Sequence, residues 1–248
     1  MASDSEGGIK IDPMAQFDIK PFFSDEVGAL SFTNSTLWMA IVVLGAAALF
    51  FIGSQRRALV PTRLQSVAEL MYEFIYKMVR DTAGEEGLKY FPYIFTLFIF
   101  ILFSNLFGMI PMSFTVTSHL AVTALLALIV FVTVTVIGFM KHGSHFFSFF
   151  APSGTPAPLL LLLVPIEVIS YFVRPVTHSI RLGANMMAGH ATMKVFAGFL
   201  ASAAVLTPVV LPVMVAFTAF EVLVAVVQAY IFTILTCIYL NDALHLHH

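Results

Sequence analysis

The run Pro175-Val-Thr-His-Ser-Ile-Arg-Leu-Gly-Ala-Asn-Met-Met-Ala-Gly-His190 decides how this chain must be read. It sets a guanidinium, Arg181, inside a tract that is apolar almost throughout from Leu159 to Leu240. An arginine at the centre of a bilayer costs roughly 2.5–3.5 kcal/mol on insertion scales, so its presence there calls for a function. The rest of the composition makes the bilayer the solvent. Hydrophobic residues are 59% of the 248 and charged residues 10%, against about 25% charged in a soluble chain. So few charges cannot cover a water-facing surface, and most of the outside must meet lipid. The net charge of −2 leaves no basic surface for nucleic acid. The single Cys237 excludes an internal disulfide framework and reads as a small buried hydrophobe.

A hydrocarbon core of about 30 Å takes roughly 20 apolar residues of helix. Leu37 to Gly53, Pro92 to Ile110 and Leu120 to Met140 each supply such a run. The tract from Leu159 divides at Thr207–Pro208 and Pro212 into two segments, each too long for one upright crossing, which must tilt or bend at prolines. Between the first two runs, Leu64, Val67, Ala68, Met71, Phe74, Ile75, Met78 and Val79 recur at helical spacing, opposite Arg63, Gln65, Glu69, Glu73, Lys77 and Arg80. That pattern predicts a helix lying in the membrane interface. The sequence thus predicts an all-α integral membrane fold forming a single membrane domain. It has an external segment over 1–34, a first span over 35–54 and an interfacial amphipathic helix over 62–82. A helical hairpin follows over 90–141, and two long tilted helices over 157–242, for five crossings in all. Met1 to Asp12 lacks the basic region and early apolar core of a signal peptide, so the first run is expected to stay as an anchor. Arg56, Arg57, Arg63, Lys77, Arg80 and Lys89 follow the first run, and Lys141 follows the third. The positive-inside rule then puts the N-terminus outside and the C-terminus in the cytoplasm.

Around Arg181 the polar residues follow a period. Glu167, Arg174 and Arg181 are seven apart, and His178 and Asn185 flank the arginine, so at about 100° per residue these five cluster toward one face. Glu221 and Gln228, also seven apart, form a matching short stripe in the last segment, while His190 falls off the Arg181 stripe and faces another neighbour. Three intramembrane ionisable groups, Arg181, Glu167 and Glu221, mark an ion path. Gly183, Ala184, Ala188, Gly189 and Ala191 lower the surface near the arginine and admit either a partner helix or close packing within the chain.

These residues carry a resemblance. The run from Pro175 to His190, the last segment with Glu221 and Gln-Ala-Tyr-Ile-Phe from Gln228, and Ser104-Asn105-Leu106 to Pro111 resemble the a subunits of F-type ATP synthases over roughly Arg56 to Leu240. The resemblance implies two long tilted helices curved against a rotor ring of c subunits, behind an upright hairpin. It implies a non-catalytic, proton-translocating stator subunit in a bacterial inner membrane, partnered by the c-ring, the b and b′ peripheral-stalk subunits and lipid, with no cofactor and no metal. By the same resemblance Arg181 matches the essential stator charge, and Glu167, Asn185, His190, Glu221 and Gln228 match polar positions of two aqueous half-channels, with His178 beside them. Many relatives carry Glu where this chain has His190 and His where it has Glu221. The exchange here, as in the alphaproteobacterial and mitochondrial branch, suggests that the two act as a pair. Guanidinium does not deprotonate in proteins, so Arg181 is a fixed charge and not a carrier. His190 suits a relay, its unperturbed pKa being roughly 6.5. The alternative is an ion-coupled secondary transporter, which usually carries an internal repeat; the two long segments are not similar halves. No His-Glu-x-x-His, Gly-x-Ser-x-Gly or phosphate loop supports a membrane enzyme. His142, His145, His245, His247 and His248 read as a solvated loop and tail.

Overall fold

A computed structural model describes residues 33–55, 62–110, 113–150, 157–202 and 207–245. Among them there is no β-strand, and six α-helices carry the fold: α1 Asn34–Gln55, α2 Arg63–Gly87, α3 Phe91–Gly108, α4 Leu120–His142, α5 Ala157–Ser202 and α6 Thr207–Leu244. Five segments are long and apolar enough to cross a membrane: Asn34–Gln55, a stretch within Arg63–Gly108, Leu120–Phe147, Pro158–Gly198 and Thr207–Leu244. The segment before Thr33, together with Arg56 and Arg57, lies outside the described residues.

The local chemistry sets the breaks. Thr62 caps α2 by accepting a hydrogen bond from the Gln65 N–H at 3.4 Å. Near the other end Gly84 adopts φ 70°, ψ −173°, a conformation essentially confined to glycine. This lets the chain leave the line of α2 before a 3₁₀ turn at Leu88–Tyr90 leads into α3. Pro92 sits in the first turn of α3, where its missing N–H is harmless.

The 46 residues of α5 run about 70 Å and the 38 of α6 about 57 Å, roughly twice the hydrocarbon thickness. Neither breaks at its prolines. Pro165 and Pro175 stay inside α5 and Pro212 inside α6; of the two division points expected, Thr207–Pro208 marks the start of α6 and Pro212 does not interrupt it. Each proline removes one helical hydrogen bond without ending the helix.

Helix α6 is the spine: it packs on α2, α3, α4 and α5. A continuous core joins Ile75, Val79 and Ala83 of α2 with Ile94 and Ile101 of α3, Val130 of α4, Leu182 and Met186 of α5, and Phe232 and Cys237 of α6. The amphipathic face of α2 is used only in part. Ala68, Ile75, Met78 and Val79 pack inward, while Leu64, Val67 and Phe74 remain about half exposed. The inward side is narrower than the apolar stripe because α1, α3 and α6 together cover only part of it. Cys237 is fully buried.

Candidate functional site

Along α5 the buried positions Tyr171, His178, Leu182, Met186 and His190 recur every seven or four residues, the spacing of one helical face. That face meets α4, α6 and the α3–α4 connection. At its far end His190 meets Glu221 of α6: Nδ1 contacts Oε1 closely, and both residues are buried, at 8% and 3% exposure. The other ring nitrogen, Nε2, lies 2.9 Å from the Gly108 carbonyl oxygen at the end of α3. A carbonyl can only accept, so Nε2 carries a hydrogen and donates it. The Nδ1 contact to Glu221 therefore needs one further proton, held by either the imidazole or the carboxyl. Glu221 Oε2 is buried without a hydrogen-bond partner among the described residues.

Close approach makes this possible. A Cβ at Gly189 would lie 2.6 Å from Glu221 Oε1, so only glycine admits the carboxyl there. Gly183 likewise faces Thr123 of α4, where a Cβ would stand 3.0 Å from the hydroxyl. Of the small residues near Arg181, Gly183 and Gly189 thus serve packing within the chain, while Ala184 and Ala188 are exposed. An open cleft of about 380 Å³ between α5 and α6 is lined by Asn185, Gly189, Phe217, Glu221 and Gln228, among others. Asn105 steadies its back wall. Its Nδ2 donates to the Ala225 carbonyl of α6 at 2.9 Å, and its Oδ1 accepts from Thr117 at 2.7 Å, with both side chains fully buried.

Toward the opposite end of the bundle the structure builds a second polar site. His178 is buried edge-on against Phe232, with ring centroids 3.7 Å apart, and near Tyr239. It lines a narrow cavity of about 20 Å³, room for about one water. Arg174 and Asp242 line the same cavity and bridge α5 to α6 at 3.0 Å. The Arg174 guanidinium also lies over Phe149, Tyr171 and Tyr239, between 5.1 and 5.8 Å from the ring centroids. This end adjoins the termini of α4 and α6, where His142 Nε2 reaches the Leu244 carbonyl at 3.2 Å and Lys141 pairs with Glu86.

Arg181 stands between the two sites, on the exposed side of α5 with Val176, Ile180, Ala184 and Asn185. It makes no hydrogen bond or ion pair with any described residue. The expected stripe therefore straddles the edge of the packed face, with His178 inside and Arg181 and Asn185 open. Glu167 is half-buried on α5, 14 residues or about 20 Å before Arg181, and joins neither site.

Sequence reasoning missed Asp242, whose Asn-Asp context at a helix end reads as an ordinary polar terminus, and the Gly108 carbonyl, which no side chain announces. Lys194, one turn beyond His190, was also passed over; the i, i+4 spacing was the available signal. Among the described residues no three His, Cys, Asp or Glu side chains converge as metal ligands would.

The model of the family described as ATP synthase A chain matches residues 35–241. The chain is 57% identical over 251 residues to the ATP synthase subunit a of Dinoroseobacter shibae, spanning the whole of both chains. It is 62% identical over 222 residues to that of Rhodobacter capsulatus, covering 87% of this chain and 94% of the relative. With that of Paracoccus denitrificans it shares 55% identity over 249 residues, again spanning both chains. A buried His190–Glu221 contact, an exposed arginine with no ion pair among the described residues and this likeness lead to one assignment: the chain belongs to the ATP synthase A chain family, the proton-channel subunits of the enzyme's membrane sector.

Proposed function

We propose that this chain is the stator half of a rotary proton path, with two separate polar inlets and Arg181 as the fixed charge between them. The observation that carries the reading is Arg181 itself. A permanent cation on an exposed apolar helix face, with no acid among the described residues against it, calls for an acid from elsewhere. A carboxyl carried past on a ring of c subunits meets that requirement. When a protonated rotor carboxyl arrives, the cation favours its ionised form and drives the proton off. The same charge repels protons that would otherwise slip straight from one inlet to the other.

The inlet nearer the α3–α4 connection holds His190, Glu221, Asn185 and Gln228. By the positive-inside rule it faces outward, with the N-terminus outside and the C-terminus in the cytoplasm. The His190–Glu221 pair takes one proton from that side and passes it toward the rotor past Asn185. The inlet holding His178, Arg174 and Asp242 opens inward, and Glu167, further along α5, serves protons leaving toward the cytoplasm. Each inlet reaches only partway, so a proton must ride the ring. The field supplies about 2.3 kcal/mol per charge per 100 mV. The chain works in a bacterial inner membrane, held beside the ring by peripheral-stalk subunits.

The test is Arg181→Ala in the assembled complex in inverted membrane vesicles. ATP-driven proton pumping should fall below detection while the c-ring still co-purifies. Pumping at the parent rate would refute the stator assignment.

A further inference from the structure

One carbonyl oxygen in this molecule receives more donors than it has lone pairs. Gly108, the last residue of α3, has a helix-terminal carbonyl with no intrahelical partner. Its oxygen is approached by His190 Nε2 at 2.9 Å, by the Ser113 hydroxyl at 2.9 Å and by the Thr115 hydroxyl at 3.2 Å. A carbonyl has two lone pairs, so the three donors compete. Thr115 is buried, at 3% exposure, and fits against Gly108 so closely that a Cβ there would lie 2.7 Å from its methyl group. The α3–α4 connection is thus folded back onto the one backbone atom that orients the proton-carrying histidine.

We propose that Thr115, assisted by Ser113, is a positioning residue that sets how tightly the His190–Glu221 pair holds its proton. The inference rests on the reading of that pair as the outer proton site. The Gly108 oxygen fixes the ring with Nε2–H toward α3 and Nδ1 toward Glu221. A second proton makes Nε2–H a stronger donor, and its bond to the carbonyl strengthens as charge develops. Hydroxyls already bonded to that oxygen spend part of its accepting capacity and limit the gain. The loop keeps the pair's grip loose enough to hand its proton on. The charged groups that act on His190 are Glu221 from α6 and Lys194 from α5. The connection contributes hydroxyls at this point, and its own His119 is stacked on Phe114 at 4.8 Å.

The experiment measures ATP synthesis in membrane vesicles against the pH of the outer-facing compartment, at constant membrane potential and constant inner pH. Thr115→Val keeps the shape and removes the hydroxyl. One neutral hydrogen bond shifts an equilibrium roughly two- to tenfold. The half-maximal proton concentration should fall by that factor, moving the profile to higher pH. Thr115→Ser should restore the parent profile. Ser113→Ala, at a half-buried loop position, should shift it the same way and covers the case in which Thr115→Val fails to assemble. A reduced rate with an unmoved midpoint in Thr115→Val and Ser113→Ala would mean a merely structural role and overturn the inference. His190→Ala separates the two levels. If it abolishes synthesis while the loop variants leave the midpoint in place, only the role of Thr115 falls. If His190→Ala synthesises like the parent, the reading of the pair falls with it.

Discussion

If His190 and Glu221 share one buried proton, as proposed, their contributions are inseparable. His190 and Glu221 have side chains 9% and 4% exposed. Removing either one strands the other away from water, which is costly for a polar or charged group. Truncating both removes the stranded partner as well. Proton flux through the complex should therefore drop strongly in His190→Ala and in Glu221→Ala, yet the double variant should be little worse than the poorer single. The expected coupling is at least about 1.4 kcal/mol, or tenfold, within the range for residues in contact. Losses that simply multiply would show that the two do not act together. The contact between these two side chains was foreshadowed by the family resemblance, through the exchange of acid and imidazole between positions 190 and 221. Burial was not. His178 and Asn185 lie only about 20° apart in helical phase, yet the first is packed and the second open. What separates them is where α6 crosses: Phe232 backs His178, whereas a cleft opens beside Asn185. Phase along one helix cannot report where another helix crosses it.

Helices α5 and α6 are both very long, and specific contacts must hold them in register. Near one end that contact is the Arg174–Asp242 bridge with its aromatic surround. Both side chains are about a quarter exposed, so screening reduces the ion pair to roughly 1 kcal/mol, and stacking over three rings adds a comparable amount. Arg174→Gln should lower the midpoint temperature for loss of ATP-driven pumping, and Arg174→Lys should lower it less. Lysine keeps the charge but lacks the planar group that lies over rings. Equal loss in both variants would mean the ion pair contributes nothing. The unbroken apolar tract showed the approximate extents of these helices, because a helix that stays in lipid must remain apolar along its whole length, however far it tilts. The bridge was hidden because its partners are separated by 68 residues and no local spacing relates them. The true inward strip of α2 was hidden for a similar reason: eight apolar positions were available, and contacts with α1, α3 and α6 selected among them.

For the whole molecule, the two polar sites sit at opposite ends of one bundle, and which side of the membrane each one faces is set by chain orientation. Connectivity ties the ends together. Gly108 and Thr115, at the α3–α4 connection, mark one end; His142, Leu244 and the Glu86–Lys141 pair mark the other. An odd number of crossings must then leave the start of α1 and the end of α6 on opposite sides. The native Cys237 is fully buried and should resist polar thiol reagents, so introduced cysteines can be read without removing it. Thr36→Cys, at an exposed position in the first turn of α1, should react with a membrane-impermeant maleimide only from the periplasmic face. His245→Cys, at the exposed end of α6, should react only from the cytoplasmic face of inverted vesicles. The reverse pattern would exchange the inlets, making His190–Glu221 the cytoplasmic site and Arg174–Asp242 the outer one. Labelling of both cysteines from one face would rule out five crossings altogether. Arg181 would keep its position between the sites under exchange, because a fixed charge that separates two inlets works identically in either direction of proton flow.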